Sequence, residues 1–209
     1  MLSIIDYDMG NVKSTKNAFE LLGEKVEITD DKKKIEDSEA IILPGVGAFS
    51  DGIKNLQKKN LISLLEKEVI EKKKPYLGIC LGLEFLSKKS YEGGIETNGF
   101  GWFDAEVERI TPNDSTLKVP HMGWNDLEII NSNGILKNIE IPTFYYTHSY
   151  YFNVKSNDKS IISSICDYGG VQITSSIEHE NIAAIQFHPE KSQSMGLKLL
   201  KNFIDIHLC

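Results

Sequence analysis

The amino-acid sequence predicts a single α/β domain over residues 1–209: a mostly parallel, twisted sheet with helices on both faces and an antiparallel C-terminal extension. Three observations point there. Short apolar runs of strand length alternate with helically spaced runs as far as Leu86. Polar or glycine-bearing turns follow three of the strand-like runs, at Asp6, Pro44 and Cys80, which puts three loops at the one edge where open parallel sheets bind ligands. From Gly99 the helical spacing gives way to strand-length runs joined by turns such as Asn133-Gly134 and Gly169-Gly170.

Taken in order, residues 2–6 form a first strand that ends in the polar turn Asp6-Tyr7-Asp8-Met9-Gly10-Asn11. Val12, Phe19 and Leu22 then lie near helical spacing, with Gly23 as a stop. Residues 25–29 alternate like a strand, and residues 39–43 form a buried strand running into Pro44-Gly45-Val46-Gly47. Ser50 can cap the helix that follows. Leu61, Leu64, Leu65 and Val69 share one face of a helix over residues 61–73. Residues 76–79 are a buried strand, and residues 81–86 open another helix. Further strands are expected at 103–110, 126–130, 143–152, 160–166, 171–178 and 182–187, closed by a helix over 194–207. The lysine runs at 32–34 and 72–74 read as solvated helix ends. Cys166 reads as strand core and Cys209 as a frayed terminus.

Composition narrows the function. A net charge of −7 argues against a general nucleic-acid binder. No apolar run reaches the ~20 residues of a membrane span, and the N-terminus reads as a strand rather than a signal peptide. Three widely spaced cysteines suit a reducing, cytoplasmic setting better than a disulfide framework. Neither metal-ligand spacing nor a nucleotide fingerprint is present, so no metal and no cofactor is expected.

The chemistry centres on Gly78-Ile79-Cys80-Leu81-Gly82, a strand-to-helix elbow with cysteine in the nucleophile position. The glycines remove Cβ clashes, and the cysteine is presented at a helix N-terminus that favours an anion. Lowering the thiol pKa by about two units needs roughly 2.7 kcal/mol, within reach of a helix terminus and a nearby imidazolium. The elbow alone is equally compatible with a small buried cysteine. A thiol nucleophile also needs an imidazole and an acceptor to orient it. His188 follows the apolar run 183–187, and Glu190 lies two residues on, across Pro189, so extended backbone would align the two. His179 and His207 read as solvated. The Leu81 amide is one natural oxyanion donor, and the glycine-rich turn at Val46 and Gly47 suits a second.

With Gly78-Ile79-Cys80-Leu81-Gly82 and Ala184-Ile185-Gln186-Phe187-His188-Pro189-Glu190 together, the chain resembles the class I (triad) glutamine amidotransferases. Within them it is similar to the glutaminase subunits of imidazole glycerol phosphate synthases. That likeness also rests on the stretches beginning at Asp6 and Pro44, on Pro120-His121-Met122-Gly123-Trp124-Asn125 and on Thr147-His148-Ser149-Tyr150-Tyr151. The resemblance implies a Cys80–His188–Glu190 triad that hydrolyses L-glutamine through a thioester, with oxyanion donors at Leu81 and the Val46–Gly47 peptide. It implies glutamine contacts from Glu84, Glu92, His148, Ser149 and Tyr150. It further implies a heterodimer with a (β/α)8 cyclase subunit, met by His121, Met122, Trp124, Asn125 and Lys191, which takes up the ammonia for histidine biosynthesis. Such subunits are nearly idle alone. The same chemistry could instead feed a cyclase-like partner that amidinates a surface sugar. A cysteine peptidase would need a longer cleft, and a non-catalytic binding protein would not need the whole triad.

Two positions depart from the family pattern. Glu84 stands where glutamine is usual, one turn beyond Cys80, and an ionised carboxylate there would repel the substrate carboxylate and raise the thiol pKa. Glu84→Gln should therefore change glutamine turnover several-fold. Asp8 stands where glycine is common.

Overall fold

The computed structural model describes residues 1–156 and 159–208, so the expected fraying at Cys209 lies outside the described residues. The first half alternates β1 (Leu2–Ile5), α1 (Val12–Leu21), β2 (Val26–Thr29), α2 (Lys32–Asp37), β3 (Ala40–Gly45), α3 (Phe49–Lys58), α4 (Ile62–Glu66), β4 (Tyr76–Cys80) and α5 (Leu81–Glu84). The second half contains β5 (Lys89–Ser90), β6 (Thr97–Asn98), β7 (Ala105–Arg109), β8 (His121–Asp126), β9 (Glu128–Ile129), β10 (Thr143–His148), β11 (Tyr150–Val154), β12 (Ile162–Tyr168), β13 (Val171–His179) and β14 (Ile182–Ile185), then α6 (Gln193–His207).

The main sheet has the order β2-β1-β3-β4-β14-β13-β12-β9. The pairings from β2 across to β14 are parallel, and those from β14 to β9 are antiparallel. Its central strands are apolar on both faces, as parallel strands covered by helices must be. Leu77 and Ile79 of β4 point into one core with Phe19 of α1 and Leu199, Leu200 and Phe203 of α6. Tyr76 points into the other with Ile53 and Leu56 of α3 and Leu64 and Leu65 of α4.

The predicted extension belongs to this sheet only in part. β10 and β8 form a separate two-stranded ribbon, and β11-β7-β5-β6 a third small sheet. The single strand expected over 143–152 therefore breaks at Ser149. His148 pairs with His121 in the ribbon, whereas Tyr150 pairs with Arg109 in the small sheet. Buried positions 144, 146 and 148 resume at 152 and 154 with the same parity, so the pattern alone does not reveal the break.

Four local expectations are corrected. Ser50 lies inside α3 and caps nothing; Ala48 is the N-cap, and the Phe49 N–H donates to the distant Glu92 carboxylate at 2.5 Å. The helix over 61–73 keeps α geometry only to Glu66 and then widens into a π turn, Lys67–Glu71. The 72–74 run is not wholly solvated. Glu68 is buried, and its oxygens meet Lys72 Nζ at 2.6 Å and Lys74 Nζ at 2.9 Å. Lys74 also donates to Ile35 O and Glu36 O, both at 2.7 Å. His207, too, is half-buried and packs on Phe203.

Burial opposes ionisation of Glu68, but the two lysines hold its carboxyl below the usual range. Its contribution to stability is thus present above an unfolded-state value of about 4.3 and is lost as pH falls through the lower folded value. Glu68→Ala is expected to cost roughly 3 kcal/mol at neutral pH, because Lys74 loses its buried counter-charge. Urea unfolding at pH 7 and pH 3 checks this: the difference between parent and variant should shrink at the lower pH.

The departure at Asp8 has a conformational account. Its φ is 64°, in the region where glycine is most at ease and aspartate is tolerated. Its carboxylate is held by Lys59 at 3.1 Å, and Lys59 also binds Asp30 and the Asp6 carbonyl, each at 3.0 Å.

Candidate active site

Cys80 ends β4 at φ 54° and ψ −105°, a strained conformation for a residue with a side chain. The glycines beside it answer to close approach. A Cβ on Gly78 would lie 2.6 Å from Gly82 O, and one on Gly82 would lie 1.9 Å from Leu43 O. The turn can therefore close, and it leaves the thiol at the C-terminal edge of the sheet.

The thiol is not the low-pKa group expected from the helix terminus. Burial, and then the carboxyl groups of Glu84 and Glu190, push its pKa well up, against the opposing hydrogen bonds from the Leu81 N–H and from Gln186. The helix supplies little, since α5 is a single short turn. At rest, Cys80 is a neutral thiol.

β14 lies beside β4 in parallel register, Ile185 opposite Ile79. The next residue, Gln186, reaches the nucleophile, with Nε2 3.8 Å from Cys80 Sγ. His188 emerges two residues later at the same edge. Its Nδ1 is 2.9 Å from Glu190 Oε1, and both side chains are buried. The pairing is made across a 3₁₀ turn, Pro189–Lys191, rather than along extended backbone as the spacing suggests. His188 Nε2 is buried and has no hydrogen-bond partner among the described residues. The backbone of His188 is held as well: its N–H donates to Tyr145 O at 2.9 Å, and its carbonyl accepts from Ser192 Oγ at 2.6 Å. Ser192 Oγ in turn accepts from the Tyr145 N–H at 3.0 Å.

Cys80 opens into a cavity of about 250 Å³, whose walls include Val46, Gly47, Leu81, Glu84, Glu92, His148, Ser149 and Tyr150. All the residues expected at the oxyanion site and around the substrate thus meet at one hollow. It suits a small polar molecule rather than a peptide. His188 and Glu190 stand outside this lining.

Glu84 is almost fully buried and accepts from Gln186 Nε2 at 2.9 Å. Burial raises its carboxyl pKa to about 8, against the hydrogen bond from Gln186, and the charge of Glu92 pushes the same way as burial. Near pH 7 Glu84 therefore keeps its proton and can donate as an amide does. The repulsion expected of an ionised Glu84 belongs to alkaline pH instead. As pH rises through about 8, a negative charge appears beside Cys80 and disfavours both thiolate and bound carboxylate. Glu84→Gln should thus matter little at pH 7 and raise kcat/KM several-fold at about pH 9, which pH profiles of the two proteins would show.

Of the five expected partner-facing residues, three share a surface. Met122 and Trp124 project from the outer face of β8 at 63% and 49% exposure. Trp124 meets Tyr145 edge-on at 6.1 Å, and Lys191 Nζ lies 5.6 Å from the same ring. His121 is a correction: it is on the inner face and buried, stacked on Tyr146 at 4.7 Å and Tyr168 at 4.1 Å. Asn125 shares that inner face and donates to Asp167 O at 2.9 Å. Sequence reasoning missed Gln186, Ser192 and Tyr145, although Gln186 stands inside the run that flags His188.

Residues 3–206 match the family model described as glutamine amidotransferase class-I. The chain is 45% identical over 202 residues to imidazole glycerol phosphate synthase subunit HisH of Aquifex aeolicus, covering 96% of this chain and 94% of that one. It is 42% identical over 205 residues to imidazole glycerol phosphate synthase subunit HisH 1 of Campylobacter jejuni strain RM1221, covering 98% and 99%. Among solved structures, PurLQS from Thermotoga maritima shares the fold at a TM-score of 0.74 and 19% identity, covering 98% of this chain and 97% of the other.

Proposed function

The chain belongs to the class-I glutamine amidotransferase family, and from that membership we propose that it is the cytoplasmic glutaminase subunit of an imidazole glycerol phosphate synthase, acting in histidine biosynthesis. The observation that supports this best is the cavity that brings Cys80, Leu81 and the Val46–Gly47 peptide together at the edge where a carboxylate-held His188 emerges.

In this reading the amide carbon of glutamine sits against Cys80 Sγ. The thiol proton passes to His188 Nε2 as sulfur attacks, so no standing thiolate is required. The amide N–H groups of Leu81 and of the Val46–Gly47 peptide receive the developing oxyanion. His188 then returns the proton to the leaving nitrogen, and ammonia departs from a γ-glutamyl thioester. Water, deprotonated by His188, attacks the thioester and releases glutamate and the free thiol. Glu190 keeps the Nδ1–H tautomer in place throughout. Glu84, Glu92, Ser149 and Tyr150 surround the amino-acid end of the substrate.

The ammonia acceptor is a (β/α)8 cyclase subunit docked on the face of Met122, Trp124, Tyr145 and Lys191. A neutral resting thiol fits a subunit that is nearly idle alone. The test is to mix the chain with such a cyclase and glutamine and to measure glutamate with and without the cyclase substrate. Strong stimulation by that substrate supports the proposal. Stimulation only by a cyclase-like partner with a sugar acceptor would keep the glutaminase and replace the pathway.

A further inference from the structure

His121 and His148 face each other across the β8–β10 ribbon, with His121 Nδ1 and His148 Nε2 3.0 Å apart. The end of this contact determines where its protons lie. A carbonyl only accepts, so His148 Nδ1, 2.7 Å from Tyr150 O, carries the hydrogen. His148 Nε2 is then an acceptor, and His121 Nδ1 must donate to it. That leaves His121 Nε2 to accept from Asn125 Nδ2 at 3.4 Å. The orientation of the Asn125 amide is set from both ends, since Nδ2 donates to Asp167 O at 2.9 Å and Oδ1 accepts from the Asp126 N–H at 2.9 Å. Every ring nitrogen of the pair is used, and His148 offers the cavity no free nitrogen. Both rings stay neutral: burial lowers His121 to about 4 and His148 to about 3.

We propose that His121 is a positioning residue for glutamine binding: through the one-way line Asn125 to His121 to His148 to the Tyr150 carbonyl, it holds the cavity wall at Ser149 and Tyr150. Asp167 anchors the line in β12 of the main sheet, so the junction at Ser149, where the ribbon ends and the small sheet begins, is tied to the main sheet. The line occupies the inner face of β8, the strand whose outer face carries Met122 and Trp124. Its effect on glutamine rests on the glutaminase reading; the line of protons does not. His148 thus serves the substrate through the backbone it supports, not through a hydrogen bond of its own ring.

The experiment compares the parent, His121→Phe and His121→Asn in the complex with the cyclase subunit. Phe keeps a flat ring between Tyr146 and Tyr168 and removes the donor. KM for glutamine should rise about tenfold, as for one lost hydrogen bond of about 1.4 kcal/mol, with kcat within about twofold. The Asn side-chain N–H can stand where Nδ1–H stood, so His121→Asn should recover most of the loss. An unchanged KM in His121→Phe, or no recovery in His121→Asn, overturns the proposal. Nitrogen-15 NMR of the free parent chain reads the line even where a variant does not fold. Both rings should be neutral Nδ1–H tautomers down to about pH 5.5. An Nε2–H tautomer at His148 would overturn the proposal. Because that measurement uses neither glutamine nor partner, it separates failure of the line from failure of the glutaminase reading.

Discussion

Cys80→Ala is expected to lower glutamine-dependent turnover of the assembled enzyme by roughly a million-fold, the scale on which a covalent nucleophile is missed. The reason is local. Among the described residues, no other cysteine, serine or threonine is held at positive φ on a strand-to-helix elbow. The cavity would remain, so glutamine should still bind, and a cyclase subunit supplied with ammonium should still run. Glutamate release is the readout, with ammonium-supported synthesis as the control. Appreciable glutamate from the variant would mean that water is activated without the thiol, and the thioester route would be wrong.

Glu190→Gln is expected to reduce kcat by about a hundred- to ten-thousand-fold while leaving KM nearly unchanged. Glu190 Oε1 lies 2.9 Å from His188 Nδ1, where in the proposed reaction it would fix the ring hydrogen and stabilise the imidazolium formed during attack. A glutamine amide could point its NH₂ at the ring and select the wrong tautomer. KM should hold because Glu190 does not line the cavity. Steady-state kinetics of the complex separates the two parameters. Equal kcat in parent and variant would show that the backbone hold on His188, through Tyr145 and Ser192, suffices to orient the ring.

The parallel half of the fold was legible because its code is local: buried apolar strands, helical spacing and turns at one edge. The elbow and the His188–Glu190 pair were legible for the same reason, since glycines about a cysteine and a proline between histidine and glutamate both leave marks in short stretches of chain. What stayed hidden depends on contacts between distant segments. The break at Ser149 follows from pairing with Arg109 and His121, and the capping of α3 comes from Glu92 rather than its neighbour Ser50. The inward turn of His121 is set by strand register, which a motif does not report. Charge state was the least legible feature. Burial makes both the Cys80 thiol and the Glu84 carboxyl hold their protons, and burial is a property of the packed molecule.

The division between the main sheet and the β8–β10 ribbon has an evolutionary consequence. The groups proposed to break the bond stand at or just beyond the ends of the stiff interior strands β4 and β14, where almost any change of volume is felt. Met122, Trp124 and Tyr145, most of the face proposed for another subunit, ride on a two-stranded appendage outside that sheet. Such a layout would let a lineage trade one partner surface for another by editing the appendage, while the residues proposed for hydrolysis pass unchanged from ancestor to descendant.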